Sequence, residues 1–227
     1  MSATATVCLV SGNKGKLLEV QSYLSHANVA VEAVKIDLPE LQNSSAERIS
    51  WDKAVEAYRV VNKMPVGEPL RHGGRPVLVD DTSLEFDALA GMPGPYIKWF
   101  LDRLGVEGLV KMVAGFEVAN EETTADTAPA HRTASAVCII SLCRGVDEAT
   151  GQPLVEQFRG VCRGALPAAP RGDVGFGWDS IFAPAAQIPP YAKTFAEMTV
   201  EEKNTLSHRA KALEMLTEYL KTHTPAS

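Results

Sequence analysis

The stretch Val77-Leu-Val-Asp-Asp-Thr-Ser-Leu-Glu-Phe86 decides the fold of this chain, and it continues into Gly91-Met-Pro-Gly-Pro-Tyr-Ile-Lys-Trp99. The initial run is typical of a strand that is covered on both faces. Asp80 and Asp81 follow where this strand is expected to end. Because successive strand residues point to opposite faces, we expect the two carboxylates to have different roles. Carboxylates at a strand end, with Lys98 brought back by a stiff loop, suit the binding of a metal-bound polyphosphate. The alternative is that this stretch is a solvated turn followed by a helix with a surface lysine.

Composition excludes several classes of protein. The 227 residues carry a formal net charge of −6, with 45% hydrophobic and 22% charged residues, which is ordinary for a globular chain of one large domain or two small lobes. The negative charge argues against a nucleic-acid backbone binder, although a small anion needs only a local cluster of cations. No apolar run approaches the length of a membrane span, and the N-terminus lacks a signal-peptide pattern. The four cysteines lie in apolar runs without C-x-x-C spacing, which predicts buried reduced thiols in a cytoplasmic protein rather than a zinc site.

The first half of the chain alternates strands and helices. The predicted elements are a strand over Ala5–Val10, a helix opened by the turn at residues 11–16, a strand over residues 29–36, and a helix from the capping box Ser44-Ser-Ala-Glu47 to about Val61. Residues 65–76, rich in proline and glycine, predict a surface loop.

The second half combines short helices with a hairpin. The predicted elements are two helices separated by Gly105, and hairpin strands over residues 133–142 and 154–161. A C-terminal helix follows the capping box Thr199-Val-Glu-Glu202, and its apolar stripe is Leu206, Ala210, Leu213, Leu216 and Leu220. Residues 117–130 are acidic and without periodicity, which predicts a flexible insertion. The whole pattern predicts one α/β domain over residues 1–227 with a mixed sheet.

Two groups of residues suit phosphate and metal binding. Ser11-Gly-Asn-Lys-Gly-Lys16 opens a helix, whose free N–H groups and lysines attract an anion, but its glycine spacing fits neither a Walker A loop nor a dinucleotide fingerprint. A plain helix-start turn is the alternative. Glu40 and Asp81 each follow a strand-like run, so they could share the sheet edge where Mg²⁺ would bind, unless both are exposed turn carboxylates.

Two further groups suit recognition of a base. Gly175-Phe-Gly-Trp-Asp179 would expose aromatic rings to a flat base, or it is an aromatic turn that closes a core. Lys203, His208 and Arg209 would diverge on one continuous helix at 100° per residue. They therefore serve different parts of a site, or the helix restarts at Ser207 as an N-cap, or they form a solvated basic face.

In chain order, six motifs resemble the inosine triphosphate pyrophosphatase family, the non-canonical purine NTP pyrophosphatases, in its eukaryotic type. They are Ser11-Gly-Asn-Lys-Gly-Lys16, Asp37-Leu-Pro-Glu40, Val79-Asp-Asp-Thr82, Gly94-Pro-Tyr-Ile-Lys-Trp99, Phe176-Gly-Trp-Asp179 and Lys203 through Ser207-His-Arg209. Together they span nearly the whole chain and are far more specific than any single match. Ser11 stands where a threonine is common, and the segments near 65–76 and 117–130 have no clear counterpart and could alter the dimer or a lid.

The resemblance implies an activity and an architecture. The activity is hydrolysis of ITP, dITP or XTP to the monophosphate and pyrophosphate, which cleanses the nucleotide pool and requires Mg²⁺, with Mn²⁺ as a substitute. The architecture is a homodimer of two-lobed subunits, each with a long mixed sheet, flanking helices and an active-site cleft between its lobes.

The resemblance also implies roles for particular residues. The triphosphate would be held by Ser11, Gly12, Asn13, Lys14, Gly15 and Lys16. The metal would be bound by Glu40 and Asp81. The nucleotide would be contacted by Lys53, Asp81, Thr82, Lys98 and Lys203. The base would be framed by Phe176, Gly177, Trp178, Asp179, His208 and Arg209.

The residues suit this reaction. Attack of water on the α-phosphorus needs charge neutralisation, positioning and a proton acceptor, for which Asp81 is the candidate and Asp80 the alternative. Donors such as Arg209 would bind the 6-keto oxygen of a 6-keto purine, which accepts hydrogen bonds. They would reject ATP, since adenine presents an amino donor at that position. A Maf-like pyrophosphatase acting on other nucleotides and a non-catalytic nucleotide-binding module are the competing hypotheses.

Overall fold

The computed structural model describes residues 5–25, 29–39, 41–117, 129–173, 177–187 and 193–223. The chain divides into two compact units. Unit 1 comprises Met1–Asp81, Ile139–Arg159 and Ala212–Ser227, and unit 2 comprises Thr82–Cys138 and Gly160–Lys211.

Strands and helices alternate in the first half, as predicted. The strands within the described ranges are β1 (Ala5–Val10), β2 (Val29–Val34), β3 (Val77–Phe86), β4 (Pro93–Gly94), β5 (Thr133–Val146), β6 (Pro153–Ala165) and β7 (Ala183–Pro184). The α-helices in the same ranges are α1 (Lys14–Ser25), α2 (Ala46–Val61), α3 (Ile97–Met112), α4 (Val200–Leu206) and α5 (His208–His223).

The strands form a mixed sheet with the order β2-β1-β3-β5-β6-β7, and β4 pairs with β3. In unit 1, β1 runs parallel to both neighbours, with Ala5 opposite Val29 and Cys8 opposite Val77. In unit 2, β4 is antiparallel to β3 and β7 is antiparallel to β6. The predicted α/β class with a mixed sheet is therefore confirmed.

The strands β5 and β6 form the predicted hairpin. The turn between them is closed by the Asp147 N–H, which donates to the Gln152 carbonyl (2.9 Å), and by the Gly151 N–H, which donates to the Asp147 carbonyl (2.8 Å). A connection this short can join only antiparallel neighbours. Both strands are longer than predicted.

Each unit has its own apolar core. In unit 1, the buried face of α2 covers strands β1 and β3, and the buried set includes Cys8, Val10, Ala54, Ala57, Tyr58, Val77 and Val79. In unit 2, the buried set includes Leu84, Phe86, Ile97, Leu109, Trp178, Phe182 and Phe195. The short apolar run that opens β3 is buried on both faces, as its composition predicted.

The predicted end of β3 at the two aspartates is wrong, because the strand continues to Phe86. Residues 93 and 94 fold back as β4 and pair with Glu85 and Leu84, so the hydrogen-bonded ladder extends beyond the carboxylates. Asp80 and Asp81 therefore lie in the middle of a strand.

Two other boundaries differ from prediction. The N-cap of α2 is Ser45 rather than Ser44, and its Oγ accepts a hydrogen bond from the Arg48 N–H at 3.1 Å. The strand β2 ends at Val34 rather than at residue 36. The C-terminal end of α2 at Val61 agrees with the prediction.

The predicted helix interruptions are confirmed. Gly105 divides α3 with a φ of 65°, a conformation that favours glycine. Ser207 separates α4 from α5, and its Oγ accepts a hydrogen bond from the Ala210 N–H at 3.1 Å. Ser207 therefore acts as an N-cap for α5, which was one of the alternatives for this segment.

The predicted insertion at 65–76 lies wholly in the described part of the chain, and the one at 117–130 lies there only in part. Residues 65–76 contain no helix or strand, and Tyr58 ties them to α2 because its hydroxyl donates to the Arg71 carbonyl and accepts from the Gly74 N–H. Of the insertion predicted at 117–130, residues 118–128 lie outside the described part of the chain.

The four cysteines are free and buried, as predicted. Among the described helices, none has the length and apolar character needed to cross a membrane.

Candidate functional site

The segment at residues 11–16 forms a capped helix start. The Oδ1 of Asn13 accepts a hydrogen bond from the Lys16 N–H (3.2 Å), and the Asn13 N–H donates to the Ser11 Oγ (3.1 Å). Asn13 is thus the N-cap of α1, and the positive end of the helix dipole lies at this segment. The side chain of Lys14 lies outside the described part of the structure.

Lys16 extends from the first turn of α1 to β3 and forms an ion pair with Asp80. Its Nζ lies 2.7 Å from Asp80 Oδ1 and donates to the Asp80 carbonyl at 2.8 Å. The Asp80 side chain is only 1% exposed. A carboxylate so deeply buried requires a charged or hydrogen-bonding partner, which Lys16 provides.

Asp81 forms an ion pair with a different lysine. Lys53, on α2, places its Nζ 2.5 Å from Asp81 Oδ1, and the two side chains are 25% and 21% exposed. The other oxygen, Asp81 Oδ2, is buried and has no hydrogen-bond partner within the described residues. Among the described residues, the two oxygens of Asp81 therefore differ, because Lys53 contacts Oδ1 and no group contacts Oδ2 with a hydrogen bond.

The alternation of side chains along a strand explains the two pairs. Because neighbouring residues on β3 project to opposite faces, Asp80 and Asp81 engage lysines from two different helices. The two carboxylates thus differ in environment, and the expectation that they also differ in role stays a prediction. The pairing of Asp80 with Lys16 was not predicted. Strand alternation indicated that the two aspartates point to opposite faces, but not which lysine each would meet.

One carboxylate oxygen of Asp81 fits the binding of a hard divalent cation. Mg²⁺ is typically bound by one or two carboxylates together with phosphate oxygens and water, and Asp81 Oδ2 is an unengaged carboxylate oxygen of the required kind. Glu40, the second predicted ligand, lies outside the described residues. Within the described ranges, no group of three or more His, Cys, Asp or Glu side chains could hold a metal by itself.

In unit 2, Asp179 and Lys203 form a further ion pair. The Nζ of Lys203 lies 2.5 Å from Asp179 Oδ2, and both side chains are largely buried. The same ammonium group lies 5.3 Å from the centroid of the Phe195 ring. The structure thus brings together two of the predicted nucleotide-binding residues from segments 24 positions apart.

Trp178 packs in the core of unit 2. Its ring centroid lies 5.3 Å from that of His208 and 5.8 Å from that of Phe182. Of the two alternatives considered for this segment, Trp178 therefore fits the aromatic turn that closes a core, because its neighbours cover the ring. The adjacent Gly177 is exposed with a φ of 56°, while Phe176 lies outside the described residues.

The remaining predicted residues of unit 2 differ in exposure. His208 and Arg209 are both buried in the first turn of α5, which excludes the solvated basic face considered from the sequence. Thr82 is partly buried on β3. Lys98 is exposed near the start of α3, and its Nζ lies 4.9 Å from the centroid of the Trp99 ring.

Comparison with known sequences places this chain among nucleotide hydrolases. The sequence profile of the Ham1 family matches residues 7–219. Over 223 residues the chain is 82% identical to an inosine triphosphate pyrophosphatase of Leishmania major, covering 98% of this chain and 95% of that relative. It is also 44% identical over 212 residues to inosine triphosphate pyrophosphatase 1 of Trypanosoma cruzi, covering 93% and 90% of the two chains.

Comparison with solved structures agrees. A HAM1 protein from Coxiella burnetii superposes with a TM-score of 0.68 at 28% identity, covering 96% of this chain and 99% of that chain. A nucleoside-triphosphatase/dITP/XTP pyrophosphatase from Mycobacterium abscessus superposes with a TM-score of 0.61 at 26% identity, covering 93% and 98%. The resemblance found in the six motifs is confirmed. With a match that spans nearly all of its length, the chain belongs to the Ham1 family.

Proposed function

We propose that the chain hydrolyses non-canonical purine nucleoside triphosphates, namely ITP, dITP and XTP, to the nucleoside monophosphate and pyrophosphate. The observation that carries the proposal is the pair of successive carboxylates on β3, each bound to a lysine from a different helix. The names of the Leishmania and Trypanosoma relatives support the choice of substrate.

Two lysines and a helix N-terminus can hold a polyphosphate in unit 1. Lys16 lies in the first turn of α1, where the backbone N–H groups and the helix dipole also favour an anion. The buried carboxylate of Asp80 holds the Lys16 ammonium in one place, so little side-chain entropy remains to be lost when the phosphates bind. Lys53 brings a second positive charge to the neighbouring residue of β3.

Asp81 is the residue that would act on the attacking water. Lys53 holds Oδ1, so Oδ2 can accept a hydrogen bond from water or bind a metal ion. Asp80 is less suited to this role, because its side chain is almost completely buried and is engaged by Lys16. We therefore assign the orientation of water, and acceptance of its proton, to Asp81.

Asp81 and Glu40 would hold Mg²⁺, with Mn²⁺ as a substitute. The bound ion would supply neutralisation of the negative charge on the triphosphate, as divalent ions do in phosphoryl transfer. The fit rests on Asp81 Oδ2, which has no hydrogen-bond partner in the described part of the chain, and the role of Glu40 follows from the Asp37-Leu-Pro-Glu40 motif alone.

We assign recognition of the base to the polar groups of unit 2. Arg209 is buried and is a permanent donor, which suits the 6-keto oxygen of hypoxanthine or xanthine. The adenine amino group is itself a donor and could not accept a hydrogen bond from Arg209, which would disfavour ATP. The Asp179–Lys203 pair and the exposed Lys98 would contact other parts of the nucleotide.

We further propose that the enzyme is a cytoplasmic homodimer that cleanses the nucleotide pool. The four free, buried cysteines suit a reducing compartment. Light scattering after size exclusion tests the dimer, and a monomer at assay concentration would refute it.

Product analysis with four nucleotides tests the function. The purified chain is incubated with ITP, XTP, UTP and ATP in Mg²⁺, and pyrophosphate and monophosphate are quantified. We expect pyrophosphate from ITP and XTP at rates at least about 10²-fold above the rate with ATP. Preferential turnover of UTP would favour a Maf-like enzyme, and binding of ITP without hydrolysis would favour a non-catalytic module. Equal turnover of ATP would contradict the proposed specificity.

A further inference from the structure

Three polar side chains, two of them buried and one partly buried, form a hydrogen-bond network beside the N-terminal half of α2. The hydroxyls of Ser50 and Ser141 lie 2.8 Å apart, and both residues are fully buried. The amide nitrogen Nε2 of Gln157 donates to Ser141 Oγ (3.0 Å) and to the Glu47 carbonyl (2.9 Å). We refer to Ser50, Ser141 and Gln157 as the serine–glutamine network.

The serine–glutamine network connects α2 to the β5–β6 hairpin. Ser50 and Glu47 belong to α2, Ser141 to β5, and Gln157 to β6. A nearby ion pair makes the same connection, since Arg159 Nε of β6 lies 3.1 Å from Glu47 Oε1. Hydrogen bonds require both a distance and an angle, so these contacts restrict the rotation of the helix about its axis.

The buried residues of α2 are few, and most of them are small. Its buried residues are Ser50, Ala54, Ala57 and Tyr58. The two alanines offer small methyl groups that interlock weakly with their neighbours. Tyr58 anchors the C-terminal half, because its hydroxyl binds the Arg71 carbonyl and the Gly74 N–H. In the N-terminal half, the buried residue is Ser50.

Lys53 lies close to this polar anchor on the helix. At 100° per residue, it is displaced by about 60° from Ser50 around the axis. Its Nζ lies 2.5 Å from Asp81 Oδ1. A rotation of α2 by about 30° would shift the Lys53 Cα by about 1 Å on the helix cylinder. Displacements of about that size at a reacting centre reduce rates by about 10²-fold.

We propose that the serine–glutamine network is a positioning device that sets the rotation of α2 and thereby holds the Lys53 ammonium against Asp81. Ser50, Ser141 and Gln157 are positioning residues, since they act through Lys53 and are not assigned any contact with substrate. The effect of the network on catalysis rests on the proposed function.

The substitution Gln157→Glu tests the device with little change of shape. An ionised carboxylate cannot donate to Ser141 Oγ or to the Glu47 carbonyl, and position 157 is only partly buried, so we expect the variant to fold. We expect kcat/KM for ITP to fall about 10-fold, mainly through kcat, as for a group displaced by less than 1 Å. The matched control Gln152→Glu adds the same charge in the exposed β5–β6 turn and should retain wild-type activity.

A double-mutant cycle separates positioning from a general loss of stability. If Gln157 acts through Lys53, Gln157→Glu should cause no further loss of activity when it is combined with Lys53→Met. Losses that multiply in the double variant, or an unchanged kcat/KM in the single variant, would overturn the proposal.

Chemical labelling provides a readout that does not depend on activity. Acetylation of Lys53 by an N-hydroxysuccinimide ester, followed by peptide mass spectrometry, should be at least about 3-fold faster in Gln157→Glu, because the lysine loses its ion pair. Lys63, exposed just beyond the end of α2, is the internal reference and should be unchanged. Equal labelling of Lys53 in the two proteins would contradict the proposal.

A second variant guards against misfolding of the first. Ser141→Ala removes the hydroxyl that Ser50 and Gln157 share without changing charge, and it should raise Lys53 labelling in the same way. An inactive wild-type protein would refute the proposed function, whereas the labelling ratio would still decide whether the network positions Lys53.

Discussion

Lys16 and Asp80 form a buried ion pair between the first turn of α1 and the middle of β3, with 2.7 Å between Nζ and Oδ1. The next residue of the strand, Asp81, is more exposed and engages Lys53 instead. The two adjacent aspartates thus differ in environment, and they should differ in the effect of substitution.

Replacement of Asp81, the less buried of the two aspartates, should affect catalysis more than stability. In Asp81→Asn the amide cannot accept a proton, and we expect kcat for ITP to fall by about 10²- to 10⁴-fold. The pair with Lys53 is partly exposed, so we expect a loss of only about 0.2–1 kcal/mol in the free energy of unfolding. Pyrophosphate release and urea denaturation measure the two quantities. Wild-type activity in this variant would refute the role assigned to Asp81.

Replacement of the buried aspartate should affect stability more strongly. Asp80→Asn retains an acceptor oxygen but removes the charge that balances Lys16, and we expect a loss of about 1–3 kcal/mol in the free energy of unfolding. Urea denaturation of Asp80→Asn and Asp81→Asn side by side makes the comparison. A larger loss in Asp81→Asn would contradict the difference in burial on which the prediction depends.

Removal of divalent metal should abolish hydrolysis reversibly. We expect pyrophosphate release from ITP to cease in EDTA and to return with Mg²⁺ or Mn²⁺, because the triphosphate charge needs neutralisation. Activity is measured while Mg²⁺ is titrated into wild type and into Asp81→Glu, which keeps the charge but displaces the carboxylate. Since we propose that Asp81 helps to hold the metal ion, the half-saturating Mg²⁺ concentration should rise in the variant, and an unchanged value would argue against that role.

The pair formed by Asp87 and Arg163 should make stability depend on pH below about 4. Hydrogen bonds from Arg163 lower the pKa of Asp87, and partial burial raises it to a smaller extent. A hydrogen bond from Thr133 and the positive charge of Arg163 lower the pKa further. A lowered folded-state pKa stabilises the fold above the unfolded-state value of about 3.9, and the contribution is lost as pH falls through the folded-state pKa.

Thermal unfolding of wild type and Asp87→Asn between pH 3 and pH 7 measures this contribution. The Asp87 side chain is 38% exposed, so we expect only about 0.2–1 kcal/mol at neutral pH. The difference between the two proteins should be constant from about pH 5 to 7 and shrink at lower pH. A difference that grows on acidification would contradict the sign.

The four cysteines should resist modification while the protein is folded. Burial raises the pKa of Cys143 to about 11, against a smaller lowering by a hydrogen bond from the Gly145 backbone, and burial also raises the pKa values of Cys8 and Cys162. Very little thiolate is then present at pH 8. A disulfide reagent should react with no thiol in the native protein and with four after denaturation. Fast reaction of a native thiol would contradict this packing.

The order of elements and their approximate bounds follow from local sequence. The apolar stripe of α5, the β-branched run that opens β3 and the capping box before α4 all depend on residues within a few positions of one another. Gly105 and Ser207 interrupt helices for equally local reasons, the first by its positive φ and the second by its capping hydroxyl. Such features can be predicted from sequence because their causes lie within one or two turns of chain.

The sequence by itself therefore determined the α/β pattern, the burial of the thiols and the set of polar residues available for chemistry. Only the tertiary structure decided which lysine meets which aspartate, because Lys16 and Asp80 are 64 positions apart and Lys53 and Asp81 are 28 apart. It also decided that β3 runs past both carboxylates, since β4 supplies the hydrogen-bond partners for its second half. These outcomes depend on contacts between segments distant in sequence, and the local periodicity of each segment carries no information about them.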